Sequence, residues 1–251
     1  MWYVFSNLKR FGWNILISIF AVAAVGCTNG SLNVQGLLNS VIPSFGLNIS
    51  NPSLTSVNST ATVTYTVNYI LAASVTLVPA NVSLSTTGTA NCTVASVTGS
   101  NPTMTVTLNN CTGDGTVAIN IASGTATDSQ LNLAPASGPS AAFTVDNTPP
   151  TVNISAGPSL TDANGTSTVT YTLTYSGANA TTLVPGNVTL NTTGGASCSV
   201  GVTAAIPTST VTLTGCTGNG TVGITVVAGT ASDLAGNLAT ASGVSGTFNV
   251  D

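Results

Sequence analysis

TVTYTVNY at residues 62–69 alternates apolar and polar side chains without a break, and it returns nearly letter for letter as TVTYTLTY at residues 168–175. A period of two puts Val63, Tyr65, Val67 and Tyr69 on one face of a strand and Thr62, Thr64, Thr66 and Asn68 on the other. In the second stretch Val169, Tyr171, Leu173 and Tyr175 take the inward face. Working outward, LVPANVSL (77–84) recurs as LVPGNVTL (183–190), and TVTLNNCTGDGTV (105–117) as TVTLTGCTGNGTV (210–222). The offset is 106 residues up to the first cysteine of each copy and 105 beyond it, so one loop residue separates the copies. That period exceeds the roughly 20–50 residues of stacked solenoid repeats, so each copy is expected to be a domain with its own core.

Other alternating runs match in the same way. Val117, Ile119 and Ile121 correspond to Val222, Ile224 and Val226, and Phe143 and Phe248 anchor the last strand of each copy. The aromatics sit at strand-interior spacing, which favours core packing over a sugar-stacking surface. Turn-bounded runs number about seven per copy, and no helix-period segment of useful length follows residue 46. The expected fold class is all-β, two β-sandwiches in tandem. The expected division is 1–26 signal peptide, 27–46 tether, 47–146 first sandwich, 147–150 linker and 151–251 second sandwich. Within the tether, Leu37, Leu38, Val41, Ile42 and Phe45 leave open a short amphipathic turn or helix. The joint VDNTPPTV (145–152) carries paired prolines, which lack amide donors and favour extended backbone, so it should be short and semi-rigid.

Charge excludes more than it suggests. The only basic residues, Lys9 and Arg10, precede an apolar run from Phe11 to Val25 that ends in small residues, the order of a secretory signal. At about 15 residues and with Asn14 inside it, the run falls short of the roughly 18 that span a bilayer; an uncleaved anchor is the competing interpretation. Loss of the signal takes the net charge from −4 to −6, carried by Asp114, Asp128, Asp146, Asp162, Asp233 and Asp251. A chain then without Lys, Arg, His or Glu cannot neutralise phosphates, which excludes nucleic acid and nucleotide partners. It also has no histidine for a catalytic triad or zinc site and no lysine for a Schiff base. Paired aspartates could in principle hydrolyse a glycoside, but no such constellation recurs in both copies, and no enzymatic activity is expected. The N-x-[ST] triplets at Asn81, Asn187 and Asn219 follow from the abundance of Asn, Ser and Thr.

Five cysteines divide as one, two and two. Cys92 and Cys111 bracket a turn signal at Asn101-Pro102, and Cys198 and Cys216 bracket Pro207. Folding each stretch as a hairpin sets its cysteines opposite one another at a separation that suits a disulfide, so one intra-repeat bridge per copy is expected. Free thiols or metal ligands are the alternatives. Calcium is the one ion this chemistry serves, through Asp128, Asp146 and Asp233. The competing interpretation is that Asp128 and Asp233 cap their turns by side-chain hydrogen bonds.

Two resemblances add expectations. Ala24-Val25-Gly26-Cys27 resembles the lipobox of bacterial lipoproteins, with Ala24 in place of the usual leucine, which implies acylation of Cys27 and attachment to the membrane through an N-terminal lipid. Thr28 and Asn29 follow, without the Asp that retains lipoproteins at the inner membrane, which points to the outer membrane or cell surface, on its periplasmic or external side. The series TVTYTLTY, LVPGNVTL, GNGTV, AGTASDLAGN and TFNVD of the second copy resembles bacterial Ig-like domains repeated in surface adhesins. The first copy departs from it at Asp128-Ser129-Gln130-Leu131-Asn132, and neither copy has the carboxylate often found after the first long strand. The resemblance implies Ig-like sandwiches used as spacer or adhesive modules. The rival is a recognition module for a surface glycan or a protein, using a loop site.

Overall fold

The computed structural model describes residues 44–251; the signal segment, Cys27 and the tether up to residue 43 lie outside the described residues. Apart from two 3-10 turns of three residues, its regular structure is strand. The first repeat contributes β1 (Gly46–Ile49), β2 (Ser56–Val57), β3 (Val63–Ile70), β4 (Ser74–Val75), β5 (Val82–Thr86), β6 (Asn91–Ser100), β7 (Thr103–Thr112), β8 (Gly115–Ile121), β9 (Ala126–Thr127) and β10 (Phe143–Val145). The second repeats the series as β11 (Thr151–Ala156), β12 (Asp162–Ala163), β13 (Thr168–Ser176), β14 (Ala180–Thr181), β15 (Val188–Thr192), β16 (Ser197–Thr203), β17 (Thr208–Thr217), β18 (Gly220–Val226), β19 (Ala231–Ser232) and β20 (Phe248–Val250).

In the first repeat one sheet has the order β1-β3-β7-β6 and the other β2-β10-β8-β5; the second repeat has β11-β13-β17-β16 and β12-β20-β18-β15. With β1 and β2 taken as two halves of one split strand, this is the Ig arrangement, A-B-E-D on one sheet and C-F-G on the other. The split half β2 runs parallel to β10, whereas the other pairs of both sheets are antiparallel. Seven full strands per repeat result, as the sequence predicts, and β4 with β9 (β14 with β19) adds a two-residue pair beside them.

Each repeat has its own core. The alternation of β3 and β13 buries Val63, Tyr65, Val67, Tyr69 and their counterparts Val169, Tyr171, Leu173 and Tyr175. Facing them from the other sheet are Val117, Ile119, Ile121 and Phe143, or Val222, Ile224, Val226 and Phe248. Full burial of each such side chain contributes about 1.5–3 kcal/mol. The tyrosine hydroxyls are satisfied from within: Tyr65 donates to Ala141 O at 2.8 Å and Tyr171 to Gly246 O at 3.1 Å. Burial pushes both hydroxyls above the usual tyrosine range, so they stay neutral. Phe45 packs on the first core and β1 starts at Gly46, so the sandwich takes in the last two residues of the stretch assigned to the tether.

The cysteines pair within repeats, Cys92 with Cys111 and Cys198 with Cys216, each at a Cα separation of 4.1 Å. The hairpins carrying them are not plain ladders. Register shifts between Asn91 and Thr93 and between Ser197 and Ser199 mark a bulge beside each bridge. The extra residue is Asn110 (φ 48°) in one copy and Gly215 (φ 58°) in the other, both left-handed.

Candidate functional site

The residues with the densest polar bonding outside the sheets surround the joint between the repeats. The turn from β7 to β8 is tight because Gly113 and Gly115 adopt φ values of 69° and 146°; a Cβ on either would run into the backbone of Thr89 or Thr87. That turn presents Asp114 to the linker. One carboxylate oxygen accepts from the Asn147 amide at 2.6 Å and the other from the Thr148 hydroxyl at 2.9 Å. Asn147 in turn donates its side-chain amide to Gly113 O at 2.8 Å and accepts from the Ser59 amide at 2.7 Å. The backbone of Asp146 continues the first sandwich by donating to Val57 O at 2.9 Å.

The second repeat grips the same linker from its own side. Asp233 organises the loop after β19, accepting from the Asn237 backbone amide and from its side-chain amide, both at 2.8 Å. The Asn237 side chain also donates to Asp146 O at 2.7 Å, and Thr240 N donates to Pro150 O at 3.2 Å. The prolines therefore account for only part of the stiffness expected of this joint. Bonds from both sandwiches to a linker of a few residues supply the rest.

Of the calcium candidates, Asp146 and Asp233 meet in this network through Asn237, and Asp128 occupies the equivalent loop of the first repeat. The Asp128 carboxylate, in a residue 8% exposed, accepts from Gln130 N at 2.8 Å, Asn132 N at 2.9 Å and the Asn132 side chain at 2.8 Å. These bonds are those of turn caps. Among the described residues no three His, Cys, Asp or Glu side chains cluster as a metal would need. Hydrogen bonds to the charged form, chiefly from the Asn132 side chain, hold Asp128 below the usual carboxylate range.

Asp114 is the joint residue that no repeated motif marks. Its signal lay in the comparison of the copies, because GDG in the first copy is GNG in the second. The Asn147 amide and then the Thr148 hydroxyl favour its charged form and depress its pKa. A depressed value means that the latch is at full strength above the ordinary Asp pKa of about 3.9 and is lost as pH falls through the folded-state value. We expect the protection of the Asn147 amide, its exchange rate relative to the intrinsic rate at the same pH, to be constant near neutral pH and to fall only in acid. Asp114→Asn should abolish that acid transition, as NMR exchange at Asn147 would report.

The loops after β9 and β19 differ where they matter conformationally. Leu131 has φ 66° and is 80% exposed; Gly236 takes its place in the second copy with φ 89°. A left-handed leucine costs about 1–2 kcal/mol, partly offset in a glycine variant by added unfolded-state freedom. Leu131→Gly should leave stability unchanged or raise it by up to about 1 kcal/mol, whereas Gly236→Leu should lower it by about 1 kcal/mol, both measured by urea unfolding. Leu133, Leu234 and Leu238 add exposed apolar groups to the same pair of loops.

No protein-family model matches this chain. No curated protein matches it either. Solved structures resemble it at low identity. A three-domain Ig fragment of titin is 10% identical over 83% of this chain and 66% of that one, with a TM-score of 0.41. The Escherichia coli adhesin FdeC is 19% identical over 83% of this chain and 66% of its own, with a TM-score of 0.42. The Yersinia pseudotuberculosis adhesin InvE is 14% identical over 82% of this chain and 58% of its own, with a TM-score of 0.29. The chain thus spans about two thirds or less of each of these proteins. The Ig-like fold itself is established by the strand order of the two sandwiches.

Proposed function

We propose that this chain is a non-enzymatic surface module, a two-sandwich spacer that holds an adhesive or presenting face at a set distance from the membrane. The observation that carries this reading is the joint, where Asp114, Asn147, Asp146 and Asn237 bond the linker from both sides. A spacer needs a connection that resists bending, and short linkers bonded to both neighbours do so. The disulfides suit an oxidising, exported setting. The membrane attachment in this proposal is an acyl chain on Cys27 after removal of residues 1–26, on the outer membrane or cell surface.

Two measurements test it. Asn147→Ala with Asn237→Ala should broaden the distance distribution between spin labels placed on the two sandwiches; a distribution that stays as narrow as the wild type's removes the spacer role. Radiolabelled palmitate should enter the full chain and not its Cys27→Ala variant, and equal labelling of both would refute the anchor. A second reading, recognition of a protein or glycan through the loops, is favoured by the exposure of Leu131 and Leu234, where the copies diverge, beside Leu133 and Leu238, which they share. A selective hit on a glycan array, or surface proteolysis of intact cells that spares these loops only with ligand present, would support it over the spacer.

A further inference from the structure

Every open sheet edge displays unpaired amides and carbonyls, and proteins blunt such edges with charge, proline, bulges or very short strands. Most edges in this molecule are blunted. Register shifts break the ladders of the edge strands β6, twice, and β11 and β16, once each, with the extra residue on the edge strand itself in β11 and at the second shift of β6. Strand β12 carries Asp162, and β1 and β2 are the short halves of a split strand. The exceptions are β5 (VSLST) and β15 (VTLNT), which pair with β8 and β18 without a register shift and contain no charged residue and no proline.

Which groups these edges offer follows from the ladders. Bonds from Ala122 N to Asn81 O and from Thr87 N to Thr116 O bracket the β5–β8 pairing. Bonded residues alternate in an antiparallel ladder, so Ser83 and Ser85 bond to β8, and the backbone of Val82, Leu84 and Thr86 points away from it. The Val82 amide is taken by Pro79 O, which leaves the Val82 carbonyl and both groups of Leu84 and Thr86. The second repeat is the same: Val227 N to Asn187 O and Thr193 N to Thr221 O bracket β15, and Val188 N donates to Pro185 O. Leu190, Thr192 and the Val188 carbonyl remain outward. Among the described residues, no hydrogen bond reaches these outward groups of Leu84, Thr86, Leu190 or Thr192.

An edge of this kind takes an extended strand, and its sequence specifies which. Antiparallel pairing of β5 with itself about Leu84 sets Val82 against Thr86 and Ser83 against Ser85 of the second copy. Pairing of β15 about Leu190 sets Val188 against Thr192 and Thr189 against Asn191. Polar residues meet polar ones on the outer face, and no like charges meet anywhere along either strand. The exposed Ser83, Ser85 and Thr189 extend an outer face already built of Ser, Thr and Asn side chains bonded across strands, Asn120 to Ser85 at 2.8 Å and Asn191 to Thr225 at 2.7 Å. We propose that β5 and β15 are self-complementary edges through which copies of this chain pair side by side. Each chain carries two such edges, so pairing is bivalent.

The test uses two differently tagged full-length copies expressed together, with recovery of one tag through the other as the readout. Wild-type copies should co-purify. Copies that both carry Ser83→Lys, Ser85→Lys, Thr189→Lys and Asn191→Lys should lose about tenfold or more of that recovery through facing like charges. A Lys copy expressed with a copy bearing Glu at the same four positions should regain it, which shows that the variants fold and that these strands face each other. Wild-type copies that do not co-purify, Lys copies that co-purify as the wild type does, or a loss that the Glu partner does not reverse would each overturn the proposal.

Discussion

Phe143→Ala should destabilise the first sandwich by about 3–5 kcal/mol, the range for removing a fully buried aromatic ring. Phe143 is 1% exposed and packs against Tyr65 with ring centroids 6.4 Å apart. The position allows little relaxation. It lies on a strand of three residues held between β2 and β8, and its neighbour Tyr65 is fixed by the hydroxyl bond to Ala141 two residues upstream. A cavity there stays largely open, which puts the cost in the upper part of the range. Because the two cores form separate clusters, urea unfolding should show an early transition for the first sandwich and a later one at the wild-type position for the second. One merged transition shifted as a whole would show that the repeats unfold as a unit. The same strand leads into Asp146, so amide exchange at Asp146 and Asn147 should rise with the substitution.

Removal of the Cys92–Cys111 bridge by paired alanine substitution should cost the first sandwich about 3 kcal/mol. The separation of 19 residues sets the loop that the bridge closes in the unfolded chain. Cys111 is fully buried and Cys92 nearly so, which adds lost packing to the entropic part. The native hairpin keeps its ladder from Ser96 to Ser100, so the loss falls on the bulged end of β6. A lower midpoint in urea with a somewhat steeper slope, because the unfolded chain without the cross-link exposes more surface, is the expected signature, and a loss below about 1 kcal/mol would mean that the bulge holds without the bridge. The Cys198–Cys216 pair, at a separation of 18, should behave alike in the second sandwich.

The alternation in residues 62–69 and 168–175 was enough to assign the buried faces of β3 and β13, because period two in a strand translates directly into inside and outside. The cysteine pairs were legible for a related reason: a hairpin is a local structure, and the turn signals between the cysteines set its midpoint. The bulges at Asn110 and Gly215 were not, since a left-handed residue in a strand follows from how the bridge and the ladder are reconciled in space. Nor was the division of the first strand between two sheets, which depends on tertiary pairing of β2 with β10 across 88 residues of chain. Asp114 stayed hidden because its partner Asn147 lies 33 residues away and no periodicity links a turn to a linker. The carboxylates of Asp128 and Asp233 were visible as residue types, whereas their engagement by Asn132 and Asn237 depends on how each loop folds back on itself.

Asn237 uses its side-chain amide twice, on the Asp233 carboxylate of its own loop and on the Asp146 carbonyl of the preceding repeat. Asn132, the matching residue of the first repeat, makes only the first of these bonds among the described residues. At this boundary a brace inside a loop and a splice between the two repeats are therefore one part. A lineage built from such units can lengthen or shorten by whole-repeat gain or loss without inventing a new contact at each boundary.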